Sequence, residues 1–355
     1  MKKALCITLI GLVVLGTLAG CTSKTPGSQT SSGPPPVSQP SSSSAEEPAS
    51  KETFVIRVGL PEALENPIGV MSLQIKEQVE ADSAGRLKLE LYPSNQLGGP
   101  REMLEAVGLG NLEMTVCTPT DLTSFVPEMG VLTFPYLFKD SETAYKVLDG
   151  EIGQELSGYA EKVGFKVLGY PDIGFRHITN SLRPITCLED FSGIKLRTRG
   201  VPAHLATFQA FGANPVSISF SELYAALDQK VVDGQENSAT NIYFNNFFEV
   251  QTYLSVTNTF YESWSITINK DYFAQLPEDL QEILQKAIDD GVAQNRKATT
   301  EENAQYLEKL KEKMSVNEIA PAEMERIIQA AQDLYPQFAA DVGEDIVNRV
   351  LETVR

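Results

Sequence analysis

Hydrophobic and polar positions follow each other along the chain with periods that predict strands and helices. Residues 53–60 form a nearly continuous apolar run, which is typical of a buried strand. Over residues 69–83 three apolar side chains recur at i, i+4 and i+8, which predicts a helix. Residues 87–92 alternate leucine with polar residues and predict a half-buried strand. A strand, a helix and a strand in this order form a βαβ unit, whose parallel strands require helices over the sheet.

The same kind of pattern continues through the rest of the chain. Helices are predicted over residues 101–109, 141–163, 202–211 and 220–227, and strands over residues 112–117, 165–170 and 194–198, with a strand-rich patch over 253–268. After Leu276 the pattern is nearly all helical, and Pro277 followed by two acidic residues is a favoured helix start. This order predicts an α/β fold with two lobes and a helical C-terminal section that packs across them.

The first twenty residues have the composition of an export signal. Lys2 and Lys3 precede a short apolar run over residues 9–18, which is too short to span a bilayer and is followed by small residues. The sequence Leu-Ala-Gly-Cys ending at Cys21 resembles the lipobox of bacterial lipoproteins, in which the cysteine is acylated. A chance cysteine behind an ordinary export signal is the alternative. We expect a signal peptide over residues 1–20 and a lipid on Cys21, which anchors the protein to a membrane.

Residues 22–50 consist mostly of Ser, Pro, Gly and Thr, so they cannot bury enough apolar surface to fold. We expect a disordered linker over residues 21–50 that spans on the order of 30 Å. The remaining residues, from about Lys51, are enough for two lobes.

Charge and cysteine content narrow the class of protein. The chain has 29 basic and 47 acidic residues and a net charge of −18, which becomes −20 once two lysines leave with the signal peptide. Such a surface excludes nucleic acid and anionic lipid as favoured partners. Cys117 and Cys187 remain after processing; we favour free thiols, although a disulfide is conceivable in an oxidising compartment. With two histidines and no zinc-type spacing, we expect no transition-metal centre.

One stretch of this acidic chain is basic. Residues 173–221 contain five Arg or Lys side chains and two acids, and residues 191–221 contain no acid. Arginine binds a carboxylate through two parallel hydrogen bonds, so the stretch is a candidate anion-binding site. The alternative is that these arginines pair with distant acidic residues of the chain or face solvent. Arg176 follows a predicted strand, and Arg197 lies near the carboxyl end of another, where α/β sheets bind ligands.

The segment from Asp233 to Asn237, with the sequence DGQEN, has the composition of a turn. Asp233 is interpretable as a helix N-cap and Asn237 as an exposed helical residue. The alternative is that Asn237 offers a donor and an acceptor to a ligand in the same crevice.

Four separated segments together resemble the solute-binding subunits of TRAP (tripartite ATP-independent periplasmic) transporters, the DctP family. They are YPSNQLG at 92–98, GFR with RPI within 174–185, GIKLR at 193–197, and GA through DGQEN within 212–237. The resemblance runs in order through residues 53–340. It implies a two-lobed fold similar to periplasmic binding proteins of type II, with hinge strands. One lobe would comprise residues 52–173 plus about 263–300, and the other residues 174–262 plus about 301–355.

The resemblance also implies roles for individual residues. Arg197 would make the paired hydrogen bonds to the ligand carboxylate, with Arg176 as a second contact. Asn237 and Phe220 would contact the ligand from the same lobe. Thr118, Thr120 and Asp121 would contact it from a loop of the other lobe that varies within the family. The chain departs from the family pattern at three places. Gly200 stands where some members have Asn, and Asn66-Pro67 replaces the common His-Pro. Arg199 is an extra positive charge and a candidate second anchor for the ligand.

The function implied is capture of a small organic acid by closure of the lobes and its delivery to the small and large membrane subunits of a TRAP transporter. We expect a monomer without cofactors that is lipid-anchored on the outer face of the cell membrane or on the periplasmic side. A hexuronate or another sugar acid is the favoured ligand class, and a C4-dicarboxylate the alternative. An enzyme is disfavoured, since hydrolase, zinc-protease and phosphate-loop motifs are missing and only Cys117 with His177 offers a nucleophile and a base. The subunit of an ATP-driven importer or of a sensor is the second alternative.

Overall fold

A computed structural model describes residues 52–355 of the chain. The predictions for the signal peptide, Cys21 and the linker lie outside the described residues. None of the helices within residues 52–355 combines the length and the apolar character needed to cross a membrane.

Strands and helices alternate along most of the described chain. The strands are β1 Phe54–Gly59, β2 Leu87–Tyr92, β3 Met114–Cys117, β4 Phe165–Gly169, β5 Asp172–Phe175, β6 His177–Asn180, β7 Lys195–Thr198, β8 Asn214–Ser217, β9 Gly234–Asn237, β10 Tyr253–Val256, β11 Tyr261–Ser263, β12 Ser265–Asn269 and β13 Ser315–Glu318. The α-helices are α1 Pro67–Asp82, α2 Pro100–Gly108, α3 Pro119–Leu122, α4 Ser141–Leu148, α5 Glu151–Lys162, α6 Pro202–Ala210, α7 Leu223–Asp228, α8 Ala239–Phe244, α9 Lys270–Gln275, α10 Glu278–Lys311, α11 Pro321–Gln332, α12 Tyr335–Val342 and α13 Glu344–Val354. Short 3₁₀ helices cover Pro127–Thr133, Leu188–Phe191, Phe220–Glu222 and Phe247–Glu249.

Two sheets organise two lobes. The first lobe contains a five-stranded sheet with the order β2-β1-β3-β12-β4, in which β1 runs parallel to β2 and β3 while β12 runs antiparallel to β3 and β4. The second lobe contains a six-stranded sheet with the order β13-β10-β6-β9-β7-β8. A two-stranded ribbon of β5 and β11 lies where the chain passes from one sheet to the other and back. The lobes are therefore linked by neighbouring segments, which form a hinge.

The apolar stripes of the helices bury against the first sheet as their spacing predicts. Met71, Ile75 and Val79 of α1 are buried in one core with the strands and with α10. Asn66 caps α1, since its Oδ1 accepts a hydrogen bond from the backbone N–H of Ile68 at 3.2 Å. This cap fixes where the chain leaves the carboxyl end of β1 and enters the helix.

Two predicted elements differ in the structure. The single helix predicted over residues 141–163 is broken into α4 and α5 at Gly150, whose backbone is extended. Glycine permits this break, since a Cβ there would lie 2.5 Å from the carbonyl oxygen of Lys146. The predicted turn at Asp233–Asn237 is the buried strand β9, paired with β6 and β7. Gly234 permits this pairing, since a Cβ there would lie 2.3 Å from the carbonyl oxygen of Thr179.

The helical C-terminal section is divided between the lobes. Helix α11 contacts α6 of the second lobe, whereas α12 and α13 pack on α4, α5 and the 3₁₀ helix Pro127–Thr133 of the first lobe. Phe338 and Val350 are buried in the same apolar cluster as Leu148 and Phe165. The sequence assigned residues 301–355 to the second lobe; in the structure, α12 and α13 pack their apolar faces on the helical core of the first lobe.

Candidate functional site

A cavity of about 240 Å³ lies between the two lobes, and we call it the interlobe cavity. The residues used below that line it are Glu62, Thr118, Thr120, Asp121, Arg197, Arg199, Gly200, Phe220, Asn241 and Trp264. They follow the carboxyl ends of β1, β3 and β7 or lie on the segments that face those ends. The cavity is thus placed where open α/β sheets bind ligands.

Arg197 is a buried cation with unused hydrogen-bonding capacity. It lies on β7 with 1% of its surface exposed, and its Nε donates to the carbonyl oxygen of Ile218 at 2.9 Å. Its Nη1 has no hydrogen-bond partner among the described residues. Burial lowers the pKa of Arg197 to about 9, so the guanidinium stays charged at neutral pH. A charge held in this way is stabilised by an anion in the cavity.

Arg176 lies away from the cavity lining. It follows β5, is fully buried, and forms an ion pair from Nε to a carboxylate oxygen of Glu236. Its Nη2 donates to the carbonyl oxygen of Glu236 at 2.7 Å, and its Nη1 lies 3.7 Å from Glu262 Oε2. Burial is the largest single effect and would raise the pKa of Glu236, but the charge and hydrogen bond of Arg176, together with His204 and Arg199, lower it overall. The structure therefore gives Arg176 an internal partner, and direct ligand contact by this residue stays a prediction.

Arg199 lines the cavity and joins the lobes. Its Nη1 donates to Thr118 Oγ1 at 2.6 Å and lies 3.0 Å from Glu262 Oε1. Gly200 follows it and also lines the cavity; a Cβ there would lie 2.8 Å from Ser217 Oγ, so a larger residue would fit only if Ser217 moved. Arg199 thus has a carboxylate partner already, in contrast to Arg197.

The first-lobe residues expected at the site all line the cavity. Thr118 caps α3, and Asp121 completes the cap by accepting from the N–H of Thr118 at 3.0 Å and from its hydroxyl at 2.8 Å. Thr120 donates its hydroxyl proton to Glu262 Oε1 at 2.6 Å. These bonds hold the short helix and Arg199 in place.

Phe220 and Asn237 take different places. Phe220 lines the cavity, half-buried, and meets the Phe247 ring edge-on with 6.4 Å between centroids. Asn237 is buried at the end of β9 outside the lining, and its Oδ1 accepts from Asn241 Nδ2 at 3.2 Å. The interpretation of Asn237 as an exposed helical residue is wrong because β9 pairs on both sides. Through this bond Asn237 orients Asn241, which lines the cavity.

Glu62, Asn241 and Trp264 are among the lining residues that the sequence did not predict. Glu62 is 2% exposed; its Oε2 accepts from Asn245 Nδ2 at 3.0 Å, and its Oε1 has no partner among the described residues. Burial raises the pKa of Glu62 to about 7, against the opposing effects of Asn245 and of the positive charge of Arg199. Its position three residues after β1, at the carboxyl end of a strand, was a usable sequence signal.

Hydrogen bonds between the lobes hold them together across the cavity. Besides Arg199 to Thr118, Asn245 donates to Glu62, and Asn66 Nδ2 donates to Asn241 Oδ1 at 3.3 Å. The lobes are therefore in a closed arrangement.

Neither cysteine predicted as a free thiol is in a disulfide: Cys117 is buried and Cys187 half-buried. Burial raises the pKa of Cys117, which keeps it a thiol. No cluster of His, Cys, Asp and Glu within residues 52–355 has the arrangement of a metal site.

Comparison with known proteins agrees with this geometry. Residues 62–341 match the DctP family, described as bacterial extracellular solute-binding protein, family 7. The chain is 32% identical to the 2,3-diketo-L-gulonate-binding periplasmic protein YiaO of Escherichia coli, covering 68% of this chain and 74% of the relative. It is 31% identical to the C4-dicarboxylate-binding periplasmic protein DctP of Rhodobacter capsulatus, covering 85% and 92%.

Solved structures share the fold. The sugar acid binding protein DctPAm of Advenella mimigardefordensis, in complex with galactonate, matches with a TM-score of 0.83 at 34% identity, covering 85% of this chain and 98% of that chain. A TRAP periplasmic solute binding protein of Sulfurospirillum deleyianum with bound succinate matches with a TM-score of 0.82 at 32% identity, covering 86% and 100%. The predicted two-lobed α/β fold is confirmed. The chain belongs to the DctP family, the solute-binding subunits of TRAP transporters.

Proposed function

We propose that this protein binds a small organic acid in the interlobe cavity, with Arg197 as the carboxylate anchor, and delivers it chemically unchanged to the small and large membrane subunits of a TRAP transporter. The observation that carries the proposal is the free Nη1 of a buried, charged Arg197 on the cavity wall. The solved structures with galactonate and succinate both hold carboxylates, which supports an acid as ligand.

The energetics favour a carboxylate over a neutral solute. Each charge-assisted hydrogen bond to a guanidinium contributes roughly 1.5–3 kcal/mol. Folding already offsets the free-energy cost of burying the charge of Arg197. The hydrogen bond from its Nε to the carbonyl oxygen of Ile218 fixes the side chain before a ligand binds. An anion gains the full attraction on entering, whereas a neutral sugar leaves the charge uncompensated. The Phe220 ring supplies an apolar wall for the carbon chain of the ligand.

The closed arrangement supports capture by hinge motion. Arg199 and Thr118 come from opposite lobes, and both line the cavity, so opening must break their hydrogen bond. A ligand that contacts both lobes stabilises the closed form in proportion to those contacts. Closed, loaded protein is then the form that docks on the membrane subunits.

We further propose that the mature protein is a monomer attached through lipid on Cys21 to the outer face of the cell membrane or to the periplasmic side. Family membership supports a place outside the cytoplasm. The lipobox-like sequence ending at Cys21 supports the anchor, and the linker behind it lets the lobes reach the membrane subunits.

Isothermal calorimetry with a panel of sugar acids, C4-dicarboxylates, neutral sugars and amino acids tests the proposal. We expect only acids to bind. Arg197→Met should lower the affinity for the bound acid at least about 30-fold, as is typical when one partner of a buried charge pair is removed. Arg326→Met is the matched control, because Arg326 is half-exposed on α11. The recovered ligand should be unaltered by mass spectrometry. Binding of neutral sugars only, or full affinity in Arg197→Met, refutes the proposal.

A further inference from the structure

Glu62 lines the interlobe cavity and carries an unsatisfied, buried carboxylate oxygen. The side chain is 2% exposed. Asn245 of the second lobe donates a hydrogen bond to Oε2 but not to Oε1. Oε1 is buried without a partner among the described residues. A buried polar atom of this kind costs free energy unless something bonds to it, so Oε1 is suited to a hydrogen-bond donor carried by the ligand.

The charges around Glu62 come from several elements. Arg199 after β7 and Arg176 between β5 and β6 attract its ionised form. Asp121 of α3 lines the same cavity as a second acid, and Arg101 and Glu102 of α2 line its edge. None of these cations forms an ion pair with Glu62 within residues 52–355. The cavity therefore combines a free cation, Arg197, with a free acid, Glu62.

We infer that Glu62 accepts a hydrogen bond from a ligand hydroxyl and opposes a second carboxylate, so that the site selects polyhydroxy monocarboxylates, such as aldonates and uronates, over C4-dicarboxylates. This inference rests on the proposed function, because it takes Arg197 as the anchor of the ligand's carboxylate. A hydroxyl satisfies Oε1 directly. A second carboxylate would place two acids in one buried site, and one of them would have to take up a proton.

Selection of this kind changes the proton balance of binding. The pKa of Glu62 is raised to about 7, so near neutral pH the group is partly protonated. A hydroxyl that donates to the carboxylate favours the ionised form, and binding then releases protons. A dicarboxylate favours the protonated form, and binding then takes up protons. The two ligand classes are thus expected to show opposite signs of proton linkage at pH 7.

Calorimetry on the full chain measures both effects. Galactonate and succinate are titrated into the unchanged protein, Glu62→Gln and Glu65→Gln, in buffers of different ionisation enthalpy. Glu65 is the matched control, since it lies on the same loop and is exposed. We expect the unchanged protein and Glu65→Gln to prefer galactonate at least about tenfold, one unit of pKa being worth that factor. Glu62→Gln should reduce this preference at least about tenfold and abolish the proton linkage.

The outcomes separate this inference from the proposed function. Binding of no acid by the unchanged protein overturns both. Tighter binding of succinate than of galactonate, or a preference that Glu62→Gln leaves unchanged, overturns the role of Glu62 alone, provided that Arg197→Met still weakens acid binding at least about 30-fold. If Glu62→Gln does not fold, as judged by urea unfolding, the sign of proton linkage in the unchanged protein decides.

Discussion

Replacing Arg176 with methionine should destabilise the fold far more than it alters the ligand site directly. The side chain and its partner Glu236 are both fully buried, and Arg176 supplies two hydrogen bonds to that residue. Removing one member of a buried ion pair costs about 3–5 kcal/mol, because the remaining charge loses its compensation. Against a total stability of about 5–15 kcal/mol, this is a large fraction.

Urea unfolding of the ligand-free protein at pH 7 measures the effect. We expect the free energy of unfolding of Arg176→Met to fall by about 3–5 kcal/mol, and the double variant Arg176→Met/Glu236→Gln to recover most of the loss because no charge is left unpaired. Arg326→Met serves as control, since the exposed pair of Arg326 with Glu189 contributes at most about 1 kcal/mol. A stable Arg176→Met that has lost its ligand affinity would refute the structural role and restore this arginine as a direct ligand contact.

Two other predictions concern acid sensitivity and anchoring. Burial lowers the pKa of His177 to about 4, so its contribution to stability is present above the unfolded pKa of about 6.5 and is lost as the pH falls towards 4. The stability advantage of the unchanged protein over His177→Gln should therefore shrink by about 2 kcal/mol between pH 7 and pH 5 in urea unfolding, and a pH-independent difference contradicts the assignment. Cys21→Ser should move the protein from the membrane to the soluble fraction, whereas Cys187→Ser should stay membrane-bound; equal distribution of both variants excludes the lipid anchor.

Local patterns were enough to predict the first strands and helices and the position of Arg197 near the end of a strand, but not β9 or β13. The stripe of α1 and the alternation in β2 each specify a buried face without knowledge of the partner element. Arg197 follows from the same logic, since β7 ends two residues before Gly200 and points its carboxyl end at the cavity.

The partners of buried charges depend on long-range pairing that no local pattern contains. Arg176 meets Glu236 because β6 and β9 pair antiparallel, with Ile178 opposite Glu236. Glu62 meets Asn245 only when the lobes close, across 183 residues of sequence. Similarly, the apolar faces of α12 and α13 predict helices but do not specify which lobe they cover.

Helix α10 constrains how the protein can open. It is the 34-residue element that contacts α1 and β4 of the first lobe and α8 of the second. At 1.5 Å per residue it is about 50 Å long, and a regular helix resists stretching because every backbone bond along it would have to lengthen. The helix therefore keeps a constant length and contacts both lobes along it. Solute entry and release then require the lobes to rotate about the segments beside α10, because the lobes cannot move straight apart.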